Sequence, residues 1–494
     1  MSKEQSSYRQ IMKATSIFGG VQVITIVIGI IRVKFLAIWI GPSGVGIIGL
    51  FNAPLSFISI LAGLGLSISA VKEISESAAS GDELRIAKTI KIFRRWVWFT
   101  GILGMVLTIL FSSLLSKWTF GSSLYTWSFI FLSTTILFSE ISAGQKALLQ
   151  GTRRLKQMAL ATITGSIIGL FTSLPLYYFY GENGIVPALM ITAFSSLIIS
   201  WNYSRKVKIK KIDITLKDTF YGGLSMVKLG IVLTLSGLIG TLIKYLIAAY
   251  ISKKGGIEEV GLYQAGFGLI TGYVGVIFTA MSTDYFPRLA GTKDNHESNN
   301  LINQQMEIAI LVITPICVCL IIALPIVIRL LYSPKFLGAI PMLEWVLIAV
   351  ILKSIVWSMG FLFLAKGDFS IAFKVDTITN VFLLVGYITM YSFIGLEGIG
   401  IAELVLFFLG LLLTYYYAHT KYSFRFHLKT KKIILGSFLT AVLVFATLHF
   451  LERNILAYVI AILLLVVLSL FSIKMLNQRL DIKSILDKYM NKIK

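Results

Sequence analysis

The chain has 494 residues, 56% of them hydrophobic and only 14% charged, with a formal net charge of +22. Soluble globular proteins carry about a quarter charged residues, so this composition excludes one and points to a polytopic membrane protein with no room for a sizeable soluble domain. The positive charge is first a question of which side of a bilayer the Lys and Arg occupy, not a sign of nucleic acid.

Apolar stretches of about 20 residues recur from end to end, each long enough to cross a hydrocarbon core of roughly 30 Å as a helix. They predict helices at 14–40, 44–71, 92–115, 123–147, 157–180, 184–203, 221–251, 258–287, 304–332, 337–364, 370–393, 396–418, 433–451 and 454–473. The first run follows Lys3, Arg9 and Lys13, exceeds a signal-peptide core in length and has no small-residue cleavage site, so it is expected to remain as a signal anchor. The expected fold is an all-α polytopic membrane protein of about fourteen spans, made of two pseudo-symmetric six-helix bundles and two further helices around a central cavity. The expected parts are an N-terminal bundle (1–203), a basic cytoplasmic linker (204–220), a C-terminal bundle (221–420), and two additional helices with a basic tail (421–494).

Alternate connections differ sharply in charge. The N-terminus, 72–95, 146–156, 205–217, Arg288 with Lys293, Lys366, 421–432 and the C-terminal tail hold 33 of the 45 Lys and Arg. The opposite loops hold five: Lys117, Lys253, Lys254, Lys335 and Arg453. By the positive-inside rule both termini are cytoplasmic. Seven cations remain inside the proposed spans: Arg32, Lys34, Lys228, Lys244, Arg329, Lys353 and Lys374.

An internal repeat organises these cations. "KFLAIWI" (34–40) reads against "KYLIAAYI" (244–251), and each precedes a polar turn and then "GVGIIGLFN" (44–52) or "EVGLYQAGF" (259–267). Lys34 therefore matches Lys244, and six intervening spans make the halves parallel repeats about an axis along the membrane normal. Each of the two lysines lies roughly 10 Å from the outer end of its helix, within partial reach of a snorkelling stem. Arg32 lies deeper and points elsewhere, so both cations cannot snorkel along one face, and at least one is expected to meet water or an anion inside the bundle. Lys353 lies mid-span, where a structural ion pair competes with a cavity role. Arg329 and Lys228 lie near span ends and read as interface anchors as readily as functional groups. Lys374 and Asp376 lie near one helix entry. Glu140, Glu344, Asp376 and Glu403 are the acids available to carry a coupling ion or to neutralise a cation.

Pro54, Pro175, Pro187, Pro315 and Pro325 are expected to interrupt or kink their spans. Cys317 and Cys319 are two apart on one helix and face different ways, which disfavours a disulfide or metal pair. No phosphate loop, zinc motif or large polar loop is present, so no cofactor, metal or catalytic constellation is expected.

"GIIRVKFLAIWIGPSGVGIIGLF", "LAGLGLSISAVKEIS", "STDYFPRLA", "VIRLLYSPKF" and "LKSIVWSMGFLFLAKGDFSIAF", in that order, resemble the polysaccharide transporter branch of the MOP flippase superfamily. The likeness runs over about residues 8–420 and is strongest to O-antigen and enterobacterial-common-antigen translocases of the Wzx type. The more distant lipid II flippases share a G-x-x-R spacing matched here by Gly29 and Arg32. The resemblance implies a cationic cavity, with Arg32, Lys34, Lys244 and Lys353 as substrate-binding residues and Arg329 and Lys374 as further candidates. It also implies portals lined by the first, second, seventh and eighth spans. The implied substrate is an undecaprenyl-pyrophosphate-linked glycan, moved within a bacterial inner membrane among membrane lipids, with polysaccharide polymerase and chain-length proteins as partners and no nucleic acid. Two other readings stay open: a drug or cation antiporter of the same superfamily, which would want embedded carboxylates in excess, and a membrane-embedded glycan-processing enzyme.

Overall fold

A computed structural model of the chain describes residues 3–207, 209–210, 212–292, 294–451 and 453–480, and of residues 3–19, 232, 233, 236, 283, 479 and 480 the backbone alone. The basic tail 481–494 and the loop cations Lys208, Lys211 and Lys293 lie outside the described residues. All long elements are helices: α1 (Lys3–Trp39), α2 (Pro42–Gly63), α3 (Leu66–Ala79), α4 (Glu83–Phe120), α5 (Thr126–Gly151), α6 (Leu155–Tyr180), α7 (Ile185–Ser204) and α8 (Leu216–Gly255) come first. They are followed by α9 (Ile257–Leu269), α10 (Gly275–Ala290), α11 (Asn295–Leu331), α12 (Ile340–Ala365), α13 (Phe369–Ile394), α14 (Leu396–Tyr422), α15 (Leu428–Phe450) and α16 (Ile455–Leu480). Twelve stretches among the described residues are long and apolar enough to cross a membrane, and one of these, 155–204, contains both α6 and α7. The protein is a multi-pass membrane protein.

The chain divides into two compact units, 1–262 with 331–333, and 263–330 with 334–494. In the first, α2, α3 and α4 all pack on α8. The helix expected to open the C-terminal bundle thus belongs by its packing to the first unit. Glycines allow this. Gly65 and Gly230 meet backbone to backbone, and a Cβ on either would fall 2.2–2.3 Å from a carbonyl oxygen of the other segment. A Cβ on Gly223 would overlap the Trp96 indole, whose Nε1 donates to the Thr219 carbonyl at 3.1 Å. The first unit's core is built where α3, α4 and α5 meet, from Leu66, Ile74, Phe93, Val97, Ile141 and Leu148. In the second unit α12 is central, packing on α10, α13, α14 and α15, with Leu347, Ile351 and Met359 fully buried. Outward apolar side chains such as Phe171, Phe393, Val467 and Leu470 are exposed, as a lipid-facing surface requires.

Two sequence expectations change, the continuity of the second span and the place of Pro187. The second predicted span (44–71) is broken: Leu64 (φ 50°) and Gly65 (φ 64°) are both left-handed and separate α2 from α3. Gly65 supplies the left-handed residue that commonly ends a helix, and at the break the chain meets Gly230 backbone to backbone. Pro54, Pro175, Pro315 and Pro325 lie inside continuous helices. Pro187 sits in the first turn of α7, where its missing N–H removes no intrahelical bond.

The repeat is visible in the backbone. α1 ends at Gly41 (φ 85°) and α8 at Gly256 (φ 88°), the same turn in both halves. The repeat pairs Gly46 with Gly261, and each abuts the start of the other's helix: a Cβ on Gly46 would lie 2.1 Å from the Ile257 carbonyl oxygen, and one on Gly261 would lie 1.9 Å from that of Pro42.

Candidate functional site

Each sequence-selected cation has a distinct setting. Arg32 leaves α1 toward α6. A Cβ placed on Gly169 would lie 3.0 Å from Arg32 Nη2 and 2.9 Å from Thr192 Cγ2, so the guanidinium lies over a glycine-flattened surface between α6 and α7. Among the described residues its buried Nε has no hydrogen-bond acceptor. Lys34, two residues on and pointing elsewhere, donates from Nζ to the Tyr332 carbonyl at 2.7 Å. Lys244 is exposed on α8, one residue before the buried Tyr245, whose hydroxyl is 3.1 Å from Thr119 Oγ1.

In the second unit Lys353 is half-buried on α12, with its ammonium 5.9 Å from the Phe278 ring centre and 5.6 Å from that of Phe407, near enough for cation–π attraction to both. Arg329 is exposed in the last turn of α11, where the helix dipole favours a cation. Lys374 and Asp376 are both exposed on α13, and residues two apart on a helix do not face each other.

The acids separate by their partners. Glu140 on α5 accepts from Ser59 Oγ on α2 at 2.6 Å, and the absent side chain of Gly63 leaves room for it: a Cβ there would lie 3.0 Å from Glu140 Oε1. Glu403 on α14 is buried and accepts from the Tyr387 hydroxyl on α13. Glu344 on α12, with a side chain 3% exposed, accepts from Arg453 Nη2 at 2.5 Å and lies 2.7 Å from His449 Nδ1. The other ring nitrogen of His449 is 3.4 Å from Glu397, which also accepts from Trp345 Nε1 at 2.9 Å. Arg453 donates to the Ile321 carbonyl as well, at 3.0 Å.

This cluster ties the turn between α15 and α16 to α11, α12 and α14. Sequence reasoning counted Arg453 as a loop cation and did not single out His449 or Glu397; "HFLERN" (449–454), which crowds charged groups into the turn between two apolar helices, was the available signal. The other end of α15 is held too. Thr430 Oγ1 donates to Glu307 at 2.7 Å, the His427 N–H to Asn303 Oδ1 at 2.9 Å, and Asn303 Nδ2 to the Arg425 carbonyl at 3.0 Å. Among the described residues no group of three or more His, Cys, Asp or Glu is arranged to hold a metal ion.

A family model described as polysaccharide biosynthesis protein matches residues 35–341. The Lipid III flippase of Escherichia coli (strain K12) is 22% identical over 350 residues, which are 69% of this chain and 82% of that protein. A Shigella flexneri protein described as a candidate O-antigen transporter is 24% identical over 316 residues, 62% of this chain and 71% of that one. Among solved structures, the Lipid II flippase MurJ in an inward closed conformation aligns with a TM-score of 0.66 at 15% identity, covering 94% of this chain and 99% of that chain. An inward-facing multidrug resistance MATE family transporter of the MOP superfamily aligns with a TM-score of 0.64 at 17% identity, covering 81% of this chain and 94% of that chain. The fold is therefore that of MOP superfamily transporters.

Proposed function

Because the chain belongs to the polysaccharide biosynthesis protein family, we propose that it is a flippase for undecaprenyl-pyrophosphate-linked oligosaccharide, an O-antigen or related surface-polysaccharide repeat unit. It carries this substrate from the cytoplasmic to the periplasmic leaflet of the bacterial inner membrane by alternating access. Both termini lie on the cytoplasmic side, the side to which the charge asymmetry assigns them.

The observation that carries this reading is Arg32, a membrane-embedded guanidinium with a buried nitrogen that no acceptor among the described residues satisfies. The embedded acid Glu344 is committed to Arg453 and His449, and Glu140 to Ser59. A cation left this way inside a bilayer suits a pyrophosphate, which cannot enter hydrocarbon without compensating charge. Lys34, Lys244 and Lys353 complete the cation set in this reading. A drug or cation antiporter would need embedded acids left open instead.

The test is export of surface glycan by the Arg32→Ala and Lys34→Ala variants. Export is lost while protein level and membrane insertion stay normal; export at the wild-type rate in both removes the cationic-substrate reading. The sequence carries no phosphate-loop motif, and a substrate of about two negative charges moving outward gains roughly 2.3 kcal/mol per charge per 100 mV of inside-negative potential. A linked proton or sodium ion would have to draw Glu140, Glu344, Asp376 or Glu403 away from its present partner. Reconstituted vesicles separate these terms. Translocation indifferent to imposed potential, pH and sodium gradients leaves passive equilibration alone.

A further inference from the structure

A cavity of about 360 Å³ opens in the first unit, far along α4 from the turn where α1 meets α2. Arg94 and Trp98 on α4, Gln145 on α5, Trp201 and Arg205 at the end of α7, and Ile209 of the linker line it. Four basic neighbours of this region have protein acceptors: Lys91 pairs with Asp213 at 3.2 Å, Lys210 with Glu83 at 3.2 Å, Arg95 bonds Thr219 Oγ1 at 2.6 Å, and Arg154 bonds the Lys206 carbonyl at 3.0 Å. Among the described residues neither the Arg94 nor the Arg205 guanidinium has one, and the nearby acids Glu83 and Asp213 are already engaged. Within the same cavity, Gln145 Oε1 is buried without a hydrogen-bond partner.

The height of the cavity in the membrane follows from its rim. Apart from Leu84 in its first turn, the outward apolar surface of α4 begins one turn after Arg94, with Trp98, Phe99 and Ile102 43%, 55% and 44% exposed. On α7 it ends at Ile198 and Trp201, 45% and 48% exposed, one turn before Arg205. Two outward tryptophans at one level mark the boundary between hydrocarbon and headgroups, so both arginines lie at headgroup depth. A pocket between helices with basic groups at that depth, aromatic rings on its hydrocarbon side and a buried amide inside has the chemistry of a phosphodiester site.

We propose that this cavity binds the phosphate of an anionic phospholipid of the surrounding leaflet, with Arg94 and Arg205 as its ligands and Trp98 and Trp201 against the glycerol and upper acyl region. The site holds a resident lipid and is separate from the cations assigned to the transported substrate. It does not depend on the transport reading.

Native mass spectrometry of the full-length protein, delipidated in detergent and titrated with phosphatidylglycerol or phosphatidylcholine, tests it. The wild type prefers phosphatidylglycerol by about tenfold, and the Arg94→Gln/Arg205→Gln double variant lowers that ratio to about one while remaining monodisperse. Arg205→Gln alone, at an exposed helix end where folding is not at stake, lowers it about threefold. No preference in the wild type, or an undiminished one in the variants, overturns the proposal. Displacement of phosphatidylglycerol by excess inorganic phosphate would make this a soluble-anion site. Displacement by equimolar undecaprenyl pyrophosphate would make it a station of the transported lipid. Either outcome overturns the resident-lipid assignment.

Discussion

Two half-buried arginines show opposite uses of the same side chain. Arg453 ends on Glu344 and the Ile321 carbonyl, with His449 and Glu397 beside it. Arg32 ends on the bare surface of Gly169, with its Nε unsatisfied. Withdrawing a guanidinium from water costs several kcal/mol, and the first arrangement offsets that cost with a carboxylate fixed in the fold. The second does not. A charge neutralised from within joins helices, whereas a charge left without a protein anion suits something that arrives and leaves.

Removing one partner from the neutralised cluster should have the largest effect. Glu344→Ala leaves Arg453 and His449 facing each other without their shared acid and should destabilise the protein by about 3 kcal/mol, seen as an earlier thermal unfolding transition in detergent. A change under about 0.5 kcal/mol would erase the distinction between the two arginines. Arg32→Ala should do the reverse, lowering glycan export about a hundredfold with an unfolding temperature equal to or above that of the wild type. Lys353 tests whether the contrast extends to the second unit: Lys353→Gln should reduce export about tenfold, while Lys353→Arg, which keeps the charge between Phe278 and Phe407, should retain most of it. Equal loss in both would point to a shape requirement rather than a charge. The smallest effect belongs to Gly169→Ala, whose new methyl must push the Arg32 guanidinium or Thr192 aside by a few tenths of an ångström. About threefold slower export at unchanged protein level is expected, and wild-type export would mean that the seat of Arg32 on α6 is immaterial.

The expectation of an all-helical membrane fold followed directly from the length of the apolar runs, because a lipid solvent leaves the backbone few alternatives. The parallel repeat was also legible, since "KFLAIWI" and "KYLIAAYI" carry it in side chains and Gly41 and Gly256 repeat it in the backbone. What stayed hidden depends on packing partners distant in sequence. The break at Leu64 and Gly65 lies against Gly230, 165 positions away, and the packing of α8 on α2 and α3 passes through glycines that in sequence resemble ordinary small-residue faces. The same limit governed the candidate residues. Glu140 was selected as an embedded acid, but its partner Ser59 lies 81 positions earlier, and the acid and base of the Glu344–Arg453 pair are 109 apart. Depth in an apolar run identifies a charged residue that needs an explanation, while only the fold says whether the protein itself supplies the counter-charge.

The two anchors of α15 also bear on the order of synthesis. A growing chain delivers α11 and α12 to the membrane well before residues 427–453 leave the ribosome. Through that interval Glu344 has neither Arg453 nor His449, and Glu307 lacks the hydroxyl of Thr430. Arrival of the last hairpin closes both contacts at opposite ends of one helix. A nascent chain halted after residue 420 would hold Glu344 in an apolar setting with neither of its two basic partners, at the cost of an uncompensated charge.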